Sequence, residues 1–480
     1  MVPVEGWDSM RRDLAGSGAT QESAPAPALR STGGTLDRRY LKQLYDNVHG
    51  TIYLDPTPSS FRGLHCISNC RLRDLKQLGI ACMVYPGAVH TRFEHSLGVY
   101  WLAGQSLQYL QTYQGAELDI DHFDVQTVKL AGLLHDIGHG PFSHMFEHKF
   151  LPRVITGSHE QMSGKLVDYI VDQHHIDIDS ECLKQDMIIA SSNVSVANSM
   201  KEKRFLYDIV ANGRNGIDVD KFDYIARDCR ACGLGCNFQF RRLLQSMRIM
   251  DDEICYPAKE YLTVHKLFST RADLHRTVYT HAKVMAIELM VVDALVKAND
   301  HLEISSYVTD PAEYWKLGDN ILKIIETSPD PELKESRELI LRIRRRDLYQ
   351  FCNEYAVPKN KLDLFEDITA QDIKASGVQL REEDVAVSNV KIDLTCGRNN
   401  PLERISFFKD YESKEKFYIS DDRISHLLPA SYQDRIVRVY AKKPELVEAV
   451  SEAFENFQLR MYGIKAQVKN VKVWRFYMKR

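Results

Sequence analysis

The chain has 480 residues, 44% of them hydrophobic and 27% charged, with a net charge of −4. Such a balance fits an ordinary folded protein with a large core and room for more than one lobe, and it argues against a general nucleic-acid coat. No apolar run reaches the ~20 residues that span a bilayer and no signal-peptide core follows Met1, so an intracellular protein without membrane attachment is expected.

In chain order, residues 1–36 are rich in Ala, Ser, Gly, Pro and Thr with little to bury, and they read as a flexible N-terminal arm. From Arg38 to about residue 330 the pattern is mainly helical. In "HTRFEHSLGVYWLAG", Thr91 and Glu94 have the spacing of a capping box, and His95, Val99 and Leu102 share one helical stripe, which points His95 inward. In "DVQTVKLAGLLHDIGHGP", Val128, Ala131 and His135 form a second inward stripe, with Asp136 beside it and Gly138, Gly140 and Pro141 predicted to end the helix. In "NGIDVDKFDYIARDC", Asp218 is a candidate N-cap; Asp220, Tyr224 and Arg227 then line one side of a helix, flanked by Lys221 and Asp228.

Further on, "TRADLHRTVYTHAK" places Arg271, His275 and Tyr279 at i, i+4 and i+8, one continuous helical stripe suited to a phosphate chain ending under a sugar. "HAKVMAIELMVVDALVKAND" is another helix, and the arginines of "LRIRRRDL" read as a solvated helix face. After Ile340, "NVKIDLTC", "ERISFFK", "KFYIS" and "DRIVRVYAKK" look like short strands before a helix at "PELVEAVSEAFENFQLRMYG". The expected fold is therefore mainly α: a helical catalytic body over 37–345 and a smaller α+β C-terminal lobe over 346–480. The ten cysteines are scattered except for Cys229, Cys232 and Cys236, which lack a fourth ligand nearby in sequence and read as reduced thiols.

The chemistry concentrates in "GLLHDIGHGPFSHMFEH", residues 132–148, which carries His135, His139, His144 and His148, four of the 17 histidines. Imidazoles are poor core material but good for binding a metal or moving a proton. Two histidines (His95, His135) and two carboxylates (Asp136, Asp220) on inward faces make a mixed N/O site suited to Zn, Fe, Mn or Mg. Either histidine alone would more often be a satisfied core residue. The set is different, because an adjacent buried Asp136 needs a cation.

The ordered pattern H…HD…D resembles that of the HD-domain phosphohydrolases. The longer words "NVHGTIYLDP", "RFEHSLG", "LLHDIGHGPFSHMFE", "SHEQMSG" and "NGIDVDKFDYIARDC" closely resemble the SAM-and-HD-domain type of deoxynucleoside triphosphate triphosphohydrolase. The likeness runs from about residue 40 to the end, with an HD core over about 90–230, and residues 1–36 are too short and polar for the family's sterile-alpha-motif domain. The resemblance implies metal-dependent hydrolysis of dNTPs to deoxynucleoside and inorganic triphosphate, controlling dNTP pools. It makes His95, His135, Asp136 and Asp220 the ligands of a transition metal (Zn or Fe, or Mn), with Mg in addition.

By the same resemblance His144 is the general acid, supported by Glu147 where the family commonly has Asp, with His159 and Glu160 nearby. Arg92, Lys221, Arg271 and His275 bind the phosphates, His139 and Tyr224 also bind substrate, Tyr279 excludes a ribose 2′-OH, and Gln77, Leu78 and Asp228 contact the sugar. Lys42, Arg73, Arg242 and Lys259 are candidates for an activating nucleotide. The family's D-T-x-x-F-Q before "KQLG" is replaced here, with His65 and Cys70 in line with its Asp and Gln and Tyr45 in place of an Asn, so weak or absent stimulation by GTP is expected. A homo-oligomer (dimer or tetramer), weak single-stranded nucleic acid binding as a further candidate property, and a nuclear or cytoplasmic location complete the implied picture. The alternatives are another HD-type nucleotide phosphohydrolase and a non-catalytic nucleic-acid-binding member of the fold.

Overall fold

A computed structural model describes residues 42–54, 71–155, 159–175, 203–419 and 431–463. The expected arm over 1–36 and the positions of His65 and Cys70 lie outside these, as do the side chains of His159 and Glu160. Two compact units are distinguished. The smaller, Met1–Gln43 with Tyr53–Pro56, is represented among the described residues by Lys42, Gln43, Tyr53 and Leu54 only. Everything below concerns the larger unit unless stated.

The first elements are a hairpin of β1 (Lys42–Asp46) and β2 (Gly50–Leu54). Its turn is tied by the Asp46 carboxylate, which accepts from the backbone N–H of Val48 at 2.8 Å and of His49 at 2.7 Å. Helix α1 (Arg92–Leu118) begins at the capping box formed by Thr91 and Glu94, as its sequence predicts. It packs on α2 (His122–Leu134) so closely that a Cβ at Gly132 would lie 3.2 Å from a Val99 methyl.

Helix α2 stops at Leu134 with His135 as its C-cap, three residues before the predicted glycine break. The chain then coils into tight turns, Ile137 N–H donating to Leu134 O and His139 N–H to Asp136 O. These lead into a π-helical turn at Phe146–Phe150.

Helices α3 (His159–His174), α4 (Phe205–Val210) and α5 (Val219–Ala231) follow. Asp218 caps α5 by accepting from Lys221 N–H at 3.1 Å. After α6 (Phe240–Ser246) the chain departs from the helical expectation. Strands β3 (Arg248–Met250) and β4 (Glu253–Pro257) form an antiparallel hairpin whose turn residues Asp251 and Asp252 have φ of 49° and 57°. Strands of three and five residues carry too little alternation to stand out in a helical stretch, but the Asp-Asp pair between apolar runs is the turn signal that marks them.

Helix α7 (Tyr261–Leu274) passes directly into a π-helical turn, His275–Tyr279, so the predicted straight stripe is broken at its middle residue. Helix α8 (Ala282–Leu302) follows, with Val284, Ile287, Met290, Val291, Leu295 and Ala298 each no more than 1% exposed; it is the central core helix. On α9 (Lys334–Arg344) and just beyond it the arginines pair outward, Arg344 with Glu326 at 3.0 Å and Arg342 with Asp347 at 2.8 Å, the solvated face expected of them.

Strands β5 (Gln350–Ala356), β6 (Val385–Asp393) and β9 (Gln433–Ala441) form an antiparallel sheet in the order β5-β9-β6. It is covered by α10 (Val447–Tyr462) through Val450, Phe454 and Phe457. Strands β7 (Ser406–Phe408) and β8 (Phe417–Tyr418) do not join it. Instead β7 pairs in parallel with β4, making the sheet β3-β4-β7-β8. The fold is mainly α, with small sheets, and no described helix is long and apolar enough to cross a membrane.

Candidate active site

The turn that follows α2 carries His135, Asp136 and His139, and remote side chains satisfy its backbone. Ser163 bridges it, accepting from Gly138 N–H and donating to His135 O, each at 2.8 Å. Tyr314 OH donates to Gly138 O at 2.8 Å and Arg71 Nη1 to Ile137 O at 3.2 Å. Phe142 and Ser143, next along the chain, both have φ of 59°, a costly conformation for non-glycine residues. They are held there by Asp319, which accepts from Phe142 N–H at 2.8 Å, and by the Ser143 hydroxyl donating to Lys76 O at 2.8 Å. Tyr314→Phe is accordingly expected to cost about 0.5–1.5 kcal/mol of stability for one lost hydrogen bond and roughly tenfold in metal affinity. A thermal melt paired with metal analysis reads both, and an unchanged metal affinity would show that the turn needs no such prop.

Opposite this turn, α1 delivers His95 and α5 delivers Asp220. The donor atoms of His95, His135 and Asp220 all lie within 4.8 Å of one another. Asp136 completes the group, one carboxylate oxygen 3.4 Å from His95 Nε2 and the other 3.4 Å from His135 Nε2 and 3.3 Å from His139 Nε2. His135 donates through Nδ1–H to Gly132 O, 2.8 Å away, while its Nε2 is buried with no hydrogen-bond partner among the described residues. A buried orphan nitrogen facing two carboxylates fits a metal ligand.

The charges agree. Burial works against a charge on His95, yet the carboxylates of Asp220 and Asp223 hold its pKa up to about 10. Burial likewise opposes ionisation of Asp136, but Arg92, His135 and His139 pull it well below the usual carboxylate range. The cluster holds protons where a cation would serve.

The residue that orients His95 is one the sequence reading missed. Asp223, on α5 and fully buried, accepts His95 Nδ1 at 2.7 Å, His49 Nε2 at 2.6 Å and both Arg227 Nε and Nη2 at 2.9 and 2.8 Å. Arg227 in turn reaches Asp46 at 2.8 Å, tying the β1–β2 turn to the site. A Cβ at Gly98 would stand 1.8 Å from the Asp223 carboxylate, so only glycine fits there. Two sequence signals could have exposed this network: Asp223 and Arg227 are an i, i+4 ion pair, and Gly98 follows His95 on the same helix.

The other predicted residues fall into three groups. Arg92 is turned into the cluster, onto Asp136 and the Ser143 hydroxyl, rather than outward. At one end of the site Asp228 accepts from Tyr279 OH at 2.6 Å and pairs with His90 at 2.7 Å, a second partner the sequence reading missed. Arg271 donates to Tyr224 OH at 3.2 Å, and Lys221 pairs with Asp218 at 2.8 Å. His275 stands edge-on to Tyr279, and burial with the nearby Arg271 charge pushes its pKa down to about 3, so it is a neutral imidazole. Gln77 is buried with its carbonyl oxygen unpartnered among the described residues, and Leu78 is half-buried beside it.

At the other end His144 Nδ1 is 4.0 Å from Glu147, and its ring stands perpendicular to that of His139 at 4.9 Å. Arg73 and Lys259 are exposed; Arg73 stacks on Phe93 at 3.8 Å, and Arg242 pairs with Glu260 at 2.7 Å. The Glu260 carboxylate carries the influence of both Arg242 and the neighbouring Lys259. Lys42 belongs to the smaller unit.

Comparison with known proteins agrees with this constellation. The HD-domain family matches residues 92–228, the span from Arg92 to Asp228. A Dictyostelium discoideum protein named deoxynucleoside triphosphate triphosphohydrolase SAMHD1 homolog is 40% identical over 421 residues, 87% of this chain and 80% of that one. The Homo sapiens deoxynucleoside triphosphate triphosphohydrolase SAMHD1 is 36% identical over 84% of this chain and 71% of its own length. The Gallus gallus protein of that name is 34% identical over 95% and 84%. With the HD pattern folded into one cluster and relatives alike over most of both lengths, the chain belongs to the SAMHD1 type of the HD-domain phosphohydrolases, a family of enzymes.

Proposed function

We propose that the chain hydrolyses deoxynucleoside triphosphates to deoxynucleoside and inorganic triphosphate, and so lowers dNTP pools, using a divalent metal held by His95, His135, Asp136 and Asp220. The observation that carries this reading is the convergence of those donors, with the His135 nitrogen orphaned among them. Zn or Fe suits the two imidazoles best, with Mg accompanying the phosphates. A metal there supplies Lewis-acid chemistry, lowering the pKa of water and offsetting phosphate charge.

The chain's own residues do the rest. Asp223 fixes the ring of His95 so that Nε2 faces the cluster. Lys221 and Arg271 supply fixed positive charge for the phosphates, and neutral His275 adds a hydrogen bond without charge. At the leaving end Glu147 lies on the Nδ1 side of His144. That leaves Nε2 to hand a proton to the departing 5′ oxygen as the bond to the α-phosphorus breaks. Tyr279, pinned on Asp228, stands where a 2′-OH would clash. Another HD-type phosphohydrolase, acting on monophosphates, would have no use for this line of cation, imidazole and tyrosine.

The sugar assignment is testable. Tyr279→Ala is expected to raise NTP turnover relative to dNTP turnover by roughly tenfold to a hundredfold, because selectivity by clash relaxes when the clash is removed. Paired dATP and ATP assays read the ratio, and an unchanged ratio would move the sugar away from Tyr279.

A further inference from the structure

His148 has no part in the reaction described above, yet it sits against the two residues that do the leaving-group chemistry. Its ring lies parallel to that of His144, interplanar angle 2° and centroids 5.5 Å apart. Its Nε2 is 3.9 Å from Glu147 Oε2, nearly the same as the 4.0 Å from His144 Nδ1 to that oxygen. Glu147 and His148 lie within the π-helical turn at Phe146–Phe150, and His144 lies two residues before it. His139, whose ring meets that of His144 from the inner side, closes the group: donor atoms of His139, His144 and Glu147 all lie within 4.8 Å of one another.

We infer that His139, His144, Glu147 and His148 form a second metal site, distinct from the His95–His135–Asp136–Asp220 cluster, which takes a borderline transition ion such as Zn²⁺ and switches catalysis off when filled. Three imidazoles and one carboxylate are a donor set for tetrahedral Zn²⁺ and a poor one for Mg²⁺ or Ca²⁺, which prefer oxygen. With bonds of about 2.0–2.1 Å, tetrahedral ligand atoms stand about 3.3 Å apart, so the separations among His139, His144 and Glu147 must contract by less than two ångströms, and His148, 3.9 Å from Glu147, must swing in to join them. His144 and His148, with side chains 63% and 65% exposed, have room to swing, while buried His139 and Glu147 provide the fixed side. The inhibitory part rests on the reading of His144 as leaving-group acid: an imidazole nitrogen bound to Zn²⁺ cannot carry the proton.

The test uses the full-length enzyme as isolated, with its own metal, titrated with Zn²⁺ alone. Bound Zn²⁺ is counted after equilibrium dialysis and dNTP hydrolysis is measured in parallel, for wild type and His148→Ala. The expected result is one additional Zn²⁺ per chain in wild type with loss of turnover. His148→Ala should have unchanged basal activity, with its Zn²⁺ affinity and inhibition both weakened at least tenfold, the lower end of what even an outer-shell change costs. Mg²⁺ should reproduce none of this. Equal additional Zn²⁺ binding by wild type and His148→Ala overturns the site. Additional, His148-dependent Zn²⁺ that leaves turnover intact upholds the site and overturns instead the assignment of His144 as the acid.

Discussion

His135→Ala and Asp136→Ala are each expected to abolish turnover and metal content together. Each removes one of the four donors, two imidazoles and two carboxylates, that would hold the metal. The metal contributes several kcal/mol of charge stabilisation; at 1.36 kcal/mol per tenfold, losing it should lower the rate by about a thousandfold or more. Metal analysis and a dNTP hydrolysis assay on the same preparations check the coupling. A variant with near-normal turnover would remove His135 or Asp136 from the ligand set. One that keeps its metal but loses turnover would place the residue on the substrate rather than the metal.

Asp223→Ala is expected to have the largest effect on stability of any change at the site. It leaves Arg227, 1% exposed, with Asp46 as its one carboxylate partner among the described residues, and removes the carboxylate that His49 Nε2 and His95 Nδ1 meet. Removing one member of a buried ion pair costs about 3–5 kcal/mol, a large part of the 5–15 kcal/mol that typically holds a domain folded. Asp223→Asn keeps the volume and one acceptor, so it should fold, while metal affinity falls about 10–100-fold because the His95 ring is no longer held by a full negative charge. Gly98→Ala should mimic the Asn variant by driving the carboxylate aside. Denaturant unfolding and metal titration of the three variants test this; wild-type stability in Asp223→Ala would show that the network is ornamental.

How far the sequence exposes the site can be followed residue by residue. His95 and His135 are legible because helical spacing sets them in line with Val99 and Val128, although both helices turn out to be buried on more than one face. The capping residues Thr91 and Asp218 are legible for the same local reason. Asp223 is not, because it is one of several carboxylates in "DVDKFDYIARD" and its partner His49 lies more than 170 residues away, as does Asp46, the partner of Arg227. Distance along the chain hides a contact that only the packed helices create. His90 escaped similarly, through its long-range pairing with Asp228.

The strands divide in the same way. Nine-residue β6 shows alternation and nine-residue β9 stands out by its β-branched and aromatic run, whereas three-residue β3 is visible only through its Asp-Asp turn, and the parallel pairing of β4 with β7 has no local signature at all. The π turn at His275–Tyr279 is also invisible in the pattern, since i, i+4 spacing serves an α-helix equally well.

The most direct test of the central claim is the identity of the phosphate product. Purified protein is incubated with a dNTP in ¹⁸O-labelled water and the products are followed by ³¹P NMR. The account predicts intact triphosphate carrying the label, together with unlabelled deoxynucleoside, because water attacks the α-phosphorus and the 5′ oxygen leaves with the proton from His144. Pyrophosphate with a deoxynucleoside monophosphate, orthophosphate with a diphosphate, or label in the nucleoside would contradict it.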